Sequence, residues 1–477
     1  MKKKKSLARS AIVEAAKQTA FAKESVQVIS ASTLAKIFCD VNHSVVEDIN
    51  LHQHSDGTKC IIIDLRPYKR EQHLCPVCGK RCPGYDHAQP QPRLWRALDN
   101  HGILVYLRYR LPRVFCPEHG VHAASVPWAF PRSQFTKTFD MVVTWMTLQL
   151  SKSAVASYMR IKWDTVGRCV HRAHQYLEPD TSKRLDGLVS IGIDETSYRK
   201  GHKYITIVVN HETNTVVWAG EGYGKDVLAR FMESLTEEQR ASIKTVTADG
   251  AQWITTCVEK YLPNATRCID SFHVVEWSMD ALDKVRHEAW RTAQARVREL
   301  GKNSKGRPKK GDAHAAELAA ARKEAKEIKG SAFALGKAPE NLTESQQRKL
   351  EMIQNHDNRL YRSYLLKEDL RLLLKMTDVE EAEHALHKWV QWARHCRIPE
   401  FVELQRKIMR HKDHILNTIQ EQVSNARVES MNNKIKLIIR RAYGFRNIQN
   451  MIDLVMLGCS DIVVPLPNRP RATNHAA

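Results

Sequence analysis

Two short knuckles, Cys75-Pro-Val-Cys78 and Cys116-Pro-Glu-His119, constrain this chain more than any other feature, because sharing one metal would oblige the segment between them to fold back on itself. Each turn offers two ligands at C-x-x-C or C-x-x-H spacing, and two such turns fill the four positions of a tetrahedral zinc. With every position taken by protein, one such zinc per chain is structural. Unmetallated cysteines in a small core are the plainer alternative, and a redox role lacks a surrounding βαβ unit. Cys82, His87 and His122 are spare ligands. Between the knuckles, Ile103, Val105, Leu107 and Tyr109 alternate as one face of a strand, so the module reads as a metal-held β unit. Arg93, Arg96, Arg108, Arg110 and Arg113 decorate it, and Arg108 and Arg110 are expected to reach phosphates.

Charge narrows the partner. Lys and Arg outnumber Asp and Glu by 74 to 53 in 477 residues, a formal +21 that favours a polyanion, nucleic acid ahead of an anionic membrane surface. Hydrophobic residues make up 43%, enough for two to four cored domains rather than a disordered chain. No run of about 18 apolar residues occurs, and the basic start Met1 to Lys5 precedes no apolar stretch, so a cytoplasmic protein without a membrane partner is expected. Eleven scattered cysteines, an odd number, argue for reduced thiols around a local metal site.

The periodicity changes along the chain. Residues 1–70 read as a basic helical arm to about residue 40 and then a connecting strand with the run Cys60 to Leu65; residues 71–130 form the zinc-binding module. Residues 131–180 give three helical pieces, Thr138 to Leu150, Ser153 to Met159 and Thr165 to Tyr176, a helix-turn-helix pattern whose last helix carries Arg168, His171 and Arg172 on an exposable side for a major groove. An ordinary three-helix packing element is the bland reading. Residues 185–273 switch to strands at Leu188 to Asp194, Lys203 to Asn210 and Thr215 to Ala219, then helix, strand, helix, strand. Residues 274–424 are helical in character and read as an insertion, 425–462 return with a C-terminal helix, and 463–477 are Pro/Asn-rich and expected to be disordered.

Three acids stand out within this order. Asp194 and Asp249 each follow an apolar run and are expected at strand C-terminal ends, where ligands gather in α/β sheets. Glu429 lies on a helix whose Val428, Met431, Ile435 and Ile438 form the apolar stripe, leaving Asn425, Glu429, Asn432, Lys436 and Arg440 on the other face. Brought to one point, three carboxylates supply the hard oxygen ligands that Mg²⁺ or Mn²⁺ prefers, and two such ions serve an in-line phosphoryl displacement. Singly, each acid is weak evidence: strand-end Asp residues usually cap turns, and helical Glu residues usually face solvent.

The segments Ile193-Asp-Glu-Thr-Ser-Tyr-Arg-Lys-Gly-His-Lys-Tyr204, Thr247-Ala-Asp-Gly250, Asp270-Ser-Phe-His-Val-Val275, Pro339-Glu-Asn-Leu-Thr343 and Asn425-Ala-Arg-Val-Glu429 together resemble insertion-sequence transposases of the ISL-three family, from about Cys75 to about Gly458. That resemblance implies a multi-domain α+β chain: an N-terminal zinc-binding β module, a helix-turn-helix, and an RNase H-like α/β catalytic domain interrupted by an all-α insertion. It implies a DDE triad at Asp194, Asp249 and Glu429. His119 departs from the pattern, where cysteine is expected, and residues 1 to about 40 have no match.

The expected function is then cleavage of a bacterial element's terminal inverted repeats and joining to target DNA, by a dimer or larger assembly able to hold two ends, at the nucleoid. Asp270 and His273 resemble an accessory element beside such acids, positioning DNA or the triad, or else form a satisfied polar pair; Glu195 points to the opposite side of its strand and has a supporting role at most. Lys436 and Arg440 are further DNA contacts, and Lys305-Gly-Arg-Pro-Lys-Lys310 places Arg307 in an AT-hook-like run, alternatively a solvated loop. Rival functions are a catalytically silent DNA-binding regulator and an RNase H-like nuclease without strand transfer.

Overall fold

The computed structural model describes residues 29–53, 55–86, 91–302, 313–423 and 426–465. Most of the N-terminal arm, His87, the run containing Arg307, Asn425 and nearly all of the tail lie outside these residues. The chain divides into two compact units, with the boundary between Trp145 and Met146.

In the first unit, helix α1 (Ala31–Cys39) precedes a four-stranded sheet, β1 (Ser44–Gln53), β2 (Lys59–Pro67), β3 (Pro92–Arg96) and β4 (Leu104–Arg110), in the order β1-β2-β4-β3. The Cys60 to Leu65 run is thus an interior strand of the zinc module's own sheet rather than a separate connector. Its alternation buries Ile63 and Leu65, which join Val105, Leu107, Trp95 and Trp128 in one core. Trp128 meets Trp95 and Tyr109 edge-on at 5.7 and 5.9 Å. A hairpin of β5 (Arg113–Cys116) and β6 (Gly120–Ala123) carries the second knuckle.

Helix α2 (Lys137–Gln149) contains the boundary, and α3 (Lys152–Tyr158) and α4 (Trp163–Leu177) follow it in the second unit. The five-stranded sheet of that unit comprises β7 (Ser190–Arg199), β8 (Lys203–Asn210), β9 (Thr215–Glu221), β10 (Thr245–Ala248) and β11 (Thr266–Ile269), ordered β11-β10-β7-β8-β9. Counted from β7 this is 3-2-1-4-5 with an antiparallel opening and a parallel close, the RNase H-like arrangement. Helices α5 (Lys225–Ser234), α6 (Glu237–Ser242) and α7 (Gln252–Tyr261) belong to the outer connections. Ile191, Ile193 and Val208 pack with Leu228, Phe231 and Ile254 on one face of the sheet.

The all-α insertion starts from β11 with the 32-residue α8 (Ser271–Lys302), then α9 (Ala313–Lys329), α10 (Ala332–Gly336), α11 (Glu344–His356), α12 (Asn358–Leu373), α13 (Val379–His395), α14 (Pro399–Arg410) and α15 (Lys412–Glu421). It has its own core around Leu282, Leu366, Trp389 and Phe401. It returns along the sheet edge: Thr418 Oγ1 donates to Ile269 O at 2.8 Å and Asn417 Nδ2 to Arg267 O at 3.1 Å, covering β11. Helices α16 (Ala426–Arg441) and α17 (Ile448–Cys459) then lay Val428, Met431, Ile435 and Leu454 on the sheet's other face, against Ile205, Ile207 and Val209. Among the described residues, no helix is long and apolar enough to cross a membrane.

Candidate active site

The sheet register aligns the acids. The last parallel pairs are Gly192↔Thr247 between β7 and β10, and Ala248↔Ile269 between β10 and β11. Two residues past the first lie Asp194 and Asp249, and one past the second lie Asp249 and Asp270. Asp249 leaves its strand there, as expected, and Asp270 does the same. Asp194 instead sits mid-strand, because β7 continues to Arg199 in its antiparallel pairing with β8 after β10 has ended.

Alternation along β7 turns Gly192, Asp194 and Thr196 towards α16. A Cβ on Gly192 would fall 2.4 Å from Val428 Cγ2, so this glycine lets the helix carrying Glu429 approach the strand carrying Asp194. Asn432, one turn beyond Glu429, is buried and links the elements: its amide nitrogen donates to Asp194 Oδ2, and its oxygen accepts from Thr196 Oγ1. Glu195 N donates to Asp194 Oδ1 at 2.7 Å. Burial raises the Asp194 pKa above the usual carboxylate range, against these hydrogen bonds.

A cleft of about 610 Å³ is lined by Asp194, Glu195, Asp270, His273, Glu429, Asn432 and Lys436, with Met376 and Ile419 of the insertion completing it. Asp249 does not line this cleft. It faces a hollow of about 320 Å³ with His202, Tyr204 and Trp253, which shares Glu195 with the larger cleft. Glu195 therefore connects the two spaces, a position that strand alternation alone did not reveal. Burial, then Asp249 and Asp194, push its pKa up to about 7, and its Oε1 is buried without a hydrogen-bond partner among the described residues. Burial works against a charge on His273, but Glu276, Asp270, Asp194 and Asp249 together raise its pKa.

Asp249 Oδ1 accepts from Ala251 N and Asp270 Oδ1 from Phe272 N, both at 2.9 Å, so each acid also caps the turn that follows it. Beneath them Arg267, pulled down to about 10 by burial, donates to the carbonyls of Cys268 and Asp249. Gly250 leaves room for Trp277, whose ring carbons would lie 2.5 Å from a Cβ there. Asn432, Arg267 and Trp277 were not singled out by sequence reasoning. Only Asn432 carried a signal, its place on the Glu429 face.

The donor set fits divalent cations: hard carboxylate oxygens crowd one cleft, and one buried oxygen lacks a partner. Asp194 and Glu429 share that cleft while Asp249 lines the adjoining hollow, so among the described residues the three acids do not close on the common point expected of them. Among the described residues, the cluster of metal-ligand type drawn within 4.8 Å is Cys75, Cys78, Cys116 and His119. His119 Nδ1 stands 3.4 Å from Cys116 Sγ and 4.0 Å from Cys75 Sγ, so histidine completes the set where cysteine was expected. That histidine draws the Cys116 thiol down to about 6, towards the thiolate that a metal binds. His122 Nε2 holds the His119 carbonyl at 2.6 Å, and Cys82 bonds to Lys80 O; both spare residues lie beside the set, not in it. Three sulfurs and one imidazole nitrogen suit a closed zinc site.

The expected DNA contacts differ in their freedom. Arg168 is exposed and bonded to Thr165, whereas Arg172 is half-buried against Cys169. His171 keeps the exposure expected of it but pairs its Nδ1 with the fully buried Asp453 of α17 at 2.9 Å, as His174 does. Arg108 forks onto Asp64 at 2.6 and 2.7 Å; Arg110 is exposed at the end of β4. Lys436 and Arg440 are exposed on α16.

Residues 191–455 match the transposase model of the ISL3 type, residues 71–119 the zinc-finger of transposases IS204/IS1001/IS1096/IS1165, and residues 124–174 the helix-turn-helix domain of transposase family ISL3. Transposases for insertion sequence element IS1557 from Mycobacterium tuberculosis strains CDC 1551 / Oshkosh and ATCC 25618 / H37Rv are each 41% identical over 431 residues, covering 89% of this chain and 95% of theirs. A transposase for insertion sequence element IS1001 from Bordetella parapertussis is 25% identical over 397 residues, 82% of this chain and 90% of its own.

Proposed function

Because this chain belongs to the ISL3 family of insertion-sequence transposases, we propose that Asp194, Asp249 and Glu429 are the residues with which it cuts and joins DNA. The observation that carries this reading is the common level of Asp194 and Asp249 on adjoining strands, with Glu429 brought to the same cleft as Asp194 by the contact of Val428 with Gly192. These carboxylates would hold two Mg²⁺ or Mn²⁺ ions. Bound there, such ions supply Lewis-acid activation of a water or 3′-hydroxyl and stabilisation of the leaving oxygen. Asn432 fixes the Asp194 carboxylate. Glu195 adds an acid between Asp194 and Asp249, and Asp270 with His273 borders the reacting phosphate. Lys436 and Arg440 follow Glu429 on exposed turns of α16 and would contact the backbone on either side.

DNA recognition precedes chemistry. Helix α4 would lie in the major groove with Arg168 foremost, while Arg110 of the zinc-held unit adds phosphate contact. The DNA so recognised is the element's terminal inverted repeat. A dimer or larger assembly would hold two ends. Incubating the zinc-loaded protein with a duplex carrying one element end and a target plasmid, with and without Mg²⁺, tests the reading. It predicts metal-dependent cutting at the end and covalent joining of the new 3′-hydroxyl; cutting without joining would identify a nuclease instead.

A further inference from the structure

A second cleft, of about 660 Å³, lies apart from the acids and has no part in the chemistry above. Its size falls within the range of about 300–1,000 Å³ typical of small-molecule sites. It is walled by the start of α3, the start of α4, the end of β7 and the loop between α16 and α17. The contributing side chains are aromatic and cationic: Trp163, Tyr198 and Tyr443 with Lys152, Arg199 and Arg446, against the single acid Asp164.

Three features show that this is a built site. Lys152 is 3% exposed, and its ammonium has no hydrogen-bond partner among the described residues. It rests 4.4 Å from the centroid of the Trp163 ring, which Arg446 also approaches at 5.6 Å. A buried ammonium without an acceptor is unfavourable, and an anion entering the cleft would relieve it. Helix α4 begins here with no side-chain cap, leaving first-turn N–H groups that favour negative charge. Tyr443 is 91% exposed at φ 53°, a conformation bulky residues rarely adopt, and such strain gathers where a ligand is held.

From this we infer that the cleft receives one unstacked nucleotide of bound DNA, its base against the Tyr443 ring and its phosphate at Lys152, Arg199 and Arg446. Rings on a cationic surface are the chemistry of single-stranded nucleic-acid sites, where a base stacks and the backbone is neutralised. A site for a free anion would need no exposed ring. A site for an apolar peptide would not bury an unpaired ammonium. Tyr198 follows Asp194 by four residues on the same strand, about 13 Å at 3.3 Å per residue, so the captured nucleotide is not the one being cut. The inference rests on the chain binding DNA, and on nothing about which acids cut it.

The test uses the full-length, zinc-loaded protein and three duplexes of one sequence: fully paired, with one bulged thymidine, and with one bulged abasic nucleotide. The abasic bulge matches the flexibility and charge of the thymidine bulge but has no base to stack. Fluorescence anisotropy at low ionic strength should show the thymidine bulge bound about fivefold or more tightly than the abasic one, as expected for one base on one ring. Tyr443→Asn removes the ring from an exposed position and suits its backbone better. It should abolish that difference while leaving affinity for the paired duplex within about twofold. Lys152→Met should weaken both bulged duplexes. Equal binding of the two bulges by the wild type, with the paired duplex still bound, would overturn the inference while leaving DNA binding intact. So would a thymidine preference that survives Tyr443→Asn.

Discussion

Val428 lies against the bare Cα of Gly192, so close that a Cβ on the glycine would come within 2.4 Å of its methyl group. Glu429 is the next residue on the helix and Asp194 is two further along the strand, so this contact sets the spacing of two proposed metal ligands. Gly192→Ala should push α16 outward and lower strand cleavage at least about tenfold, since misplacing reacting groups by about 1 Å can cost a hundredfold. End binding should hold. Adding Val428→Ala should recover part of the loss, although His211 Nε2, at 2.8 Å from the same Cβ, limits the recovery. Cleavage rates of the single and double variants provide the check.

Zinc content tests the ribbon. Elemental analysis should find one zinc per chain, retained in His119→Cys and lost in His119→Ala, because thiolate and imidazole are both good zinc ligands. Chelation should lower the melting temperature of the first unit.

Major-groove docking predicts unequal effects within α4. Arg168→Ala should weaken end binding by about 1–3 kcal/mol if it reads a base, or reduce the salt slope by about one if it reads phosphate. Arg172→Ala should do less, because its guanidinium is half-buried against Cys169. Filter binding across a salt series separates the cases.

The buried Asp453 predicts a pH dependence. Burial opposes a charge on His174, yet Asp453 and Glu178 raise its pKa to about 9. Protonated His174 therefore stabilises the fold fully below the unfolded value of about 6.5, and the contribution disappears as pH rises through about 9. At 1.36 kcal/mol per unit the effect is on the order of 3 kcal/mol. The melting temperature should fall by several degrees between pH 6.5 and 9.5, and His174→Gln should flatten that decline.

Much of this architecture was legible in sequence. The knuckles marked out the cluster of Cys75, Cys78, Cys116 and His119 because spacing is local, and the helix-turn-helix helices lie within two residues of the segments read from periodicity. Strand β8 was read to the residue, since its apolar run ends at turn residues on both sides. What escaped depends on pairing across distance. The extension of β7 past Asp194 follows from its hairpin with β8, and the membership of Cys60 to Leu65 in the zinc module's sheet follows from parallel pairing with β4. Asn432 had the right face but no visible partner until Asp194 and Thr196, more than 200 residues earlier, were placed beside it. The pairing of His171, whose ring stays 39% exposed, likewise depended on Asp453, whose place in a helix of mostly apolar residues gave no sign of a charge partner.

The central claim is that Asp194, Asp249 and Glu429 act together although they line two adjoining spaces. It is tested most directly by measuring Mg²⁺-dependent strand cleavage and end binding side by side for Asp194→Asn, Asp249→Asn and Glu429→Gln. Each substitution keeps the side-chain shape while removing a charged ligand from ions worth several kcal/mol of transition-state stabilisation, so each should slow cleavage by about a thousandfold or more. Binding should stay within a small factor of the wild type, because the reading elements lie outside the triad. Cleavage near the wild-type rate by any of the three, Asp249→Asn above all, would contradict the account.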